Sequence, residues 1–188
     1  MKITIRKAEI ADSATFIMLW QFYQYHKSAF DLEDVGSDGR FDIDEEYLAS
    51  IIRGEEECDA YLVFVASQVA GFATVEPTEI MGKEMPELAD IFVLPKYRKQ
   101  GIAKFVVQHL MQVEINQWHV AVYFNDSLAL KFWSNLFTKL NVALVDKVEP
   151  LKQKASTSLS LQMLNNRARA GAKQQAFARA TLNLAYYL

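Results

Sequence analysis

The chain has 188 residues, 51% of them apolar and 23% charged, with a net charge of −3. That length and balance fit one folded domain with its own core and exclude disorder along the whole chain. The longest clean apolar run, about Tyr61–Ala66, is far short of the ~20 residues a membrane-spanning helix needs, and the single Cys58 excludes a disulfide framework or a multi-cysteine zinc site.

Lys2–Lys7 alternates, with Ile3 and Ile5 on one face, and predicts a strand. The charges along Met1–Lys7 leave no apolar signal core, so a reducing cytoplasm is the expected compartment. Asp12 or Ser13 is placed to cap a helix whose apolar residues Phe16, Leu19, Trp20 and Tyr23 follow the 3.6-residue period. Asp31–Gly39 reads as an acidic loop and Asp44–Arg53 as a short helix ending near Gly54. Tyr61–Ala66 and Val69–Val75, split by Ser67-Gln68, read as a hairpin. Leu88–Leu94 is a central strand, apolar except for Asp90, and Pro95 ends it. Gly101 opens a helix with apolar Ile102, Phe105, Val106, Leu110 and Val113. Trp118–Phe124 predicts a strand, Ser127–Phe137 a helix, and Val142–Val148 and Ser156–Leu164 two last strands. Asn166–Leu188 is Ala-rich and weakly helical. Hairpins mixed with strand–helix units predict a single α/β domain on a mixed sheet.

The stretch from Asp90 to Ala103 is where the chemistry concentrates. A buried strand feeds a basic turn, then a glycine, then an amphipathic helix. The first amides of that helix have no partner inside it and carry about half a positive charge from its dipole. Gly101 lets backbone approach a ligand, Ala103 leaves room, and Lys96, Arg98 and Lys99 add charge. Such a turn suits a pyrophosphate. Neither Gly-x-x-x-x-Gly-Lys-Ser/Thr nor Gly-x-Gly-x-x-Gly is present.

Arg98-x-x-Gly101-x-Ala103, following Phe92-Val93-Leu94-Pro95, resembles the coenzyme-A pyrophosphate loop of the GNAT-type N-acetyltransferases. Asn125 to Trp133 resembles a second block of that family, the Asn-x-x-x-Ala-x-x-Phe-Tyr/Trp helix. The likeness covers roughly residues 2–164 and is nearest to a bacterial subgroup of predicted acetyltransferases. It implies a single-domain GNAT fold, with a mixed, mostly antiparallel central sheet flanked by helices. An acetyl-CoA-binding domain would span 1–164 and a basic Ala-rich extension 165–188. Backbone groups of Phe92, Val93 and Leu94 would pair with the pantetheine arm. The amides of Arg98, Lys99, Gln100, Gly101, Ile102 and Ala103 would hold the pyrophosphate, and Asn125 would touch the arm or the cofactor tail. Acetyl-CoA would be the co-substrate, and the acceptor a small-molecule or peptide amine. A non-catalytic acyl-CoA-binding module of the same fold is the alternative.

Amine acetylation needs a base, because a protonated amine has no lone pair to attack with. Asp90, a carboxylate in an apolar strand, is the first candidate. The competing reading is a structural carboxylate bonded to backbone or to an arginine. Glu87, on the other face of the strand, is the second candidate, acting through water. The resemblance also implies an oxyanion donor, a backbone N–H near Val93. The leaving thiolate is often protonated by a tyrosine in such enzymes, but Trp133 stands at that position. Water or Tyr123 would serve instead. Ser127 reads as a helix-start residue and His109 as a packed one; His119 is open to either role. Cys58, beside Glu55–Glu57 and Asp59, is not expected to be a nucleophile.

Two segments have rival readings. Asp34–Glu45 places Asp, Asp, Gly, Asp and Glu at positions 1, 5, 6, 9 and 12 of a calcium loop, but Gly36 and Phe41 break the pattern and no second copy exists. A plain turn and a wall of the acceptor site are the alternatives, and no metal is expected. As an acceptor wall its carboxylates would favour a cationic amine. Residues 151–188 hold six basic residues and no acidic one, against 14 basic and 23 acidic in 1–150. That extension reads as a docked helix, a homodimerisation arm or a solvated tail. The −9 of the body works against nucleic-acid phosphates, and no membrane partner is expected.

Overall fold

A computed structural model describes residues 1–80, 82–111, 117–123, 126–139, 143–148, 156–157, 160–164 and 182–187. The chain forms two compact units, Met1–Glu76 with Asp90–Gln108, and Pro77–Ala89 with His109–Leu188.

In the first unit, β1 (Ile3–Lys7) lies antiparallel to β2 (Asp59–Val65), which pairs antiparallel with β3 (Gln68–Ile80). Helix α1 (Ser13–Asp31) stands between the first two strands together with α2 (Glu45–Arg53). The α1 periodicity predicts its inner face well: Phe16 and Leu19 are buried, and the Phe16, Trp20 and Tyr23 rings meet Phe72 of β3 at 5.2–5.6 Å. Leu48 and Ile51 of α2, Leu62 and Phe92 complete this core. Asp44 caps α2 by accepting from the Tyr47 amide at 2.9 Å, and Gly54 ends it in the left-handed region at φ 75°.

The β2–β3 turn is Ala66-Ser67, one residue earlier than the expected Ser67-Gln68. A two-residue hairpin turn needs positive φ, and with no glycine or asparagine nearby Ala66 takes it at φ 55°. A second hairpin was not legible. β3 runs to Ile80 and β4 (Lys83–Val93) starts five residues before the expected strand, the link crossing residues 81–82 with Gly82 at φ 75°. Pro77, Glu79, Glu84 and Pro86 hide the apolar signal there. β4 is a hydrogen-bonded neighbour of β3. The two backbones come close at Gly71, where a Cβ would collide with the Phe92 carbonyl and stand 3.0 Å from the Val93 Cα.

After β4 comes α3 (Ile102–Leu110). In the second unit β4 runs parallel to β5 (Gln117–Tyr123) at Glu87↔His119. Helix α4 (Ser127–Lys139) follows, burying Trp133, Leu136 and Phe137. β6 (Ala143–Val148), β7 (Ser156–Thr157) and β8 (Ser160–Leu164) come next, with β8 antiparallel to both β5 and β6. The expected strand Ser156–Leu164 is thus two strands. Helix at the chain end is corrected over Leu182–Tyr187, which is β9, parallel to β5 at Val120↔Leu182. Its Leu-Asn-Leu-Ala alternation and paired tyrosines carry a strand signal that the alanines upstream obscure. The pairings give a mixed, mostly antiparallel sheet flanked by helices. No described helix is long and apolar enough to cross a membrane.

Candidate active site

β4 supplies the candidate base and leads into the basic turn. Its Leu94 amide donates to the Ala70 carbonyl of β3 at 2.8 Å. Backbone direction alternates along a strand, so the Ile91 and Val93 backbones face the edge away from β3. Of the three residues expected to meet a pantetheine arm, Leu94 therefore has its amide engaged. The Val93 carbonyl is engaged too, accepting from Arg98 Nε at 2.8 Å, while the Arg98 guanidinium lies 5.7 Å from the Phe92 ring centre. Arg98 thus closes the turn back onto the strand end.

Pro95–Tyr97 form a single tight helical turn, with the Tyr97 amide on the Leu94 carbonyl at 2.9 Å and the Arg98 amide on Pro95 at 3.2 Å. Tyr97 is buried and pins the turn. The Gln100 side chain donates to the Lys96 carbonyl at 2.9 Å. Lys99 at φ 60° and Gly101 at φ 81° both take left-handed conformations. A lysine there is uncommon, and it reverses the chain so that successive amides turn the same way. The next amide with a described partner is Phe105, on the Gly101 carbonyl at 3.0 Å. Among the described residues, the amides of Lys99 through Lys104 have no protein acceptor. Arg98, expected to offer its amide as well, spends it on Pro95.

Asp90 sits half-buried on β4, and its Oδ2 accepts from the Thr74 hydroxyl at 2.8 Å. That donor is a side-chain hydroxyl of the neighbouring strand β3. Glu87, on the opposite pleat, has Oε2 2.9 Å from His119 Nδ1, with the histidine 2% exposed. Neither ring nitrogen has an aligned hydrogen-bond partner among the described residues. His119 is therefore packed against a carboxylate. His109 is exposed, where sequence periodicity expected it packed. Ser127 starts α4 as expected, and Asp126 caps that helix through the Ala129 amide at 2.8 Å. Trp133 is buried against Phe132 and Phe137 and offers no hydroxyl. Asn125 lies outside the described residues.

Burial, then the charges of Glu76, Asp90, Asp59 and Glu56, push the Cys58 thiol up to about 12, which removes it as a nucleophile. The acidic loop is tied to α1: Gln21 exchanges hydrogen bonds with the Phe41 backbone at 2.9 and 3.0 Å, and Gln24 donates to Glu33. Within the loop Asp38 accepts from the Arg40 amide, Glu45 pairs with Arg40 and Asp44 caps α2. Of the carboxylates in the calcium pattern, Asp38 and Glu45 are thus committed to local partners. No group of three metal-ligating side chains occurs among the described residues. Thr74 was missed at the sequence level, although it is a hydroxyl in an otherwise apolar run.

The acetyltransferase (GNAT) domain family matches residues 59–139, a span that contains Thr74, Asp90 and the whole Arg98–Ala103 turn. Residues 59–139 are thus similar to a GNAT acetyltransferase domain. Solved GNAT structures share its fold. An aminoglycoside acetyltransferase from an uncultured soil metagenomic sample, solved with trehalose and with sisomicin, is 18% identical, with 80% of this chain and 97% of that chain covered at a TM-score of 0.54. The PaiA N-acetyltransferase of Thermoplasma acidophilum, in complex with coenzyme A, is 17% identical over 87% of this chain and 99% of that one, also at 0.54. A GNAT-family acetyltransferase from Streptococcus pneumoniae is 14% identical over 86% and 98%, at 0.55. No curated protein matches the sequence.

Proposed function

We propose that the protein is an N-acetyltransferase that moves the acetyl group of acetyl-CoA directly to a primary amine of a small cationic acceptor. The observation that carries this reading is the run of six amides, Lys99 through Lys104, with no protein acceptor among the described residues. Arg98, Lys99 and the start of α3 surround them with positive charge, and a diphosphate supplies the missing acceptors.

Asp90 takes a proton from the bound ammonium. The freed amine lone pair attacks the acetyl carbon and the carbonyl electrons move onto oxygen. The edge of β4 facing away from β3 offers the Val93 amide to that oxyanion, an interaction typically worth about 2.7–4 kcal/mol. Collapse breaks the carbon–sulfur bond, and coenzyme A leaves as a thiolate. The proton that the attacking nitrogen sheds on collapse reaches that thiolate through water, since Trp133 carries no hydroxyl. The tethered acidic loop, with Glu33, Asp34, Asp38 and Asp42 on one short segment, favours a cationic acceptor. An aminoglycoside, the ligand class of the soil enzyme, meets that description.

Titration calorimetry with acetyl-CoA, followed by thiol release against aminoglycosides, polyamines and lysine peptides, tests the proposal. Binding with turnover of a cationic amine is expected. No heat with acetyl-CoA overturns the reading. Tight binding with no turnover across the panel replaces it with the non-catalytic module, for which the buried Trp133 is the supporting observation.

A further inference from the structure

We propose that Thr74 is a positioning residue for Asp90, holding that carboxylate ionised and in one orientation for proton abstraction; this rests on the reading of Asp90 as the base. Ala70 through Thr74 are all buried on β3, and Thr74, 1% exposed, is the one residue of the five with a polar side-chain group. A buried hydroxyl without a partner is costly, and this one is spent on Asp90 Oδ2 at 2.8 Å. Two heavy atoms on the Thr74 Cβ restrict its first side-chain torsion, so the hydroxyl has a fixed aim. The bond pins one carboxylate oxygen and with it the plane of the group.

The surroundings explain why such a donor is needed. Asp90 shares its surroundings with acidic groups: Glu76 on β3, Glu56 and Cys58 ahead of β2, Asp59 at its start and Tyr47 on α2. Cys58 and Tyr47 both feel the charges of Glu76, Glu56 and Asp90, and Cys58 feels Asp59 as well. Negative neighbours disfavour the ionised carboxylate, whereas a hydroxyl donating to it favours that form. Without Thr74 the candidate base holds its proton to higher pH and its lone pair is unavailable to the substrate ammonium over part of the working range.

The test is a carbon-13 carboxyl titration of the full chain, with the Asp90 signal assigned by its loss in Asp90→Asn. In Thr74→Val, which keeps the β-branch and removes the donor, Asp90 is expected to titrate about one pH unit higher than in the unaltered chain. Thr74→Ser, which keeps the hydroxyl, is expected to restore the original midpoint. Thermal melting within a few degrees across the set shows that the fold is intact. An unmoved midpoint in Thr74→Val, or a Ser variant shifted as far as the Val variant, overturns the role. The base reading fails separately: if Asp90→Asn keeps full turnover with the amine panel, Asp90 is not the base, and Thr74 then only satisfies a structural carboxylate.

Discussion

Helices α2 and α3 each have nine residues and start from the same problem, a set of amides with no partner inside the helix. The chain solves it at α2 from its own side chains. Asp44 caps, Glu45 and Glu46 stand in the first turn, Arg53 in the last, and Gly54 closes. At α3 no acidic residue stands in the first turn, Gly101 replaces the capping aspartate, and the basic Arg98 and Lys99 precede it in the chain. One start is satisfied internally and the other is left with positive potential for an external anion. That contrast separates a helix capped by its own side chains from one that is not, and α4 belongs with the first, Asp126 doing the capping.

Gly101→Asp would turn α3 into a copy of α2. Its carboxylate would compete for the amides that a diphosphate needs, on a backbone whose φ of 81° resists a side chain. Affinity for acetyl-CoA is expected to fall by about 100-fold or more by calorimetry, the cost of losing roughly two charge-assisted hydrogen bonds. Affinity within threefold of the unaltered chain would break the comparison. Gly101→Ala sharpens it by testing conformation without charge. Space is open around that position, so the penalty is the left-handed backbone, about 1 kcal/mol of stability, with roughly tenfold weaker binding if the turn opens. Asp44→Ala should do the reverse, lowering stability by about 1 kcal/mol in denaturant unfolding while leaving acetyl-CoA affinity unchanged.

The smallest expected effect is just ahead of α1, where Asp12, expected to cap that helix, makes no side-chain bond to its amides. Asp12 accepts from the Glu9 amide and pairs with Arg6, whose hydrogen bond is the main reason its carboxyl lies below the usual range. A carboxyl lowered in the folded state contributes stability that is complete above its unfolded value near pH 4 and is lost as pH falls through the folded value. Asp12→Asn should therefore cost about 0.5 kcal/mol at pH 7, given the exposure of Arg6, and almost nothing at the acid end of that window. An equal cost at both ends, by urea melts, would show that the contribution is not electrostatic.

Legibility followed how locally each feature is encoded. The α1 face, the Asp44 and Gly54 ends of α2 and the strand–turn–helix around Gly101 follow from spacing and single residues, so they could be read directly. The β3–β4 extension could not, because its prolines and glutamates look like loop until a neighbouring strand supplies partners. His109 faces solvent although it falls on an apolar period, since the width of a buried face depends on what covers it.

Residues 90–103 by themselves determined a strand, a basic turn and a helix start without an acidic cap, because a glycine, cationic neighbours and missing caps are properties of consecutive residues. Tertiary structure alone decided that Thr74, 16 positions before Asp90, is its hydrogen-bond donor, and that Glu87 is paired with His119. Both pairings cross between strands, and strand register is an outcome of packing that no short stretch of sequence specifies.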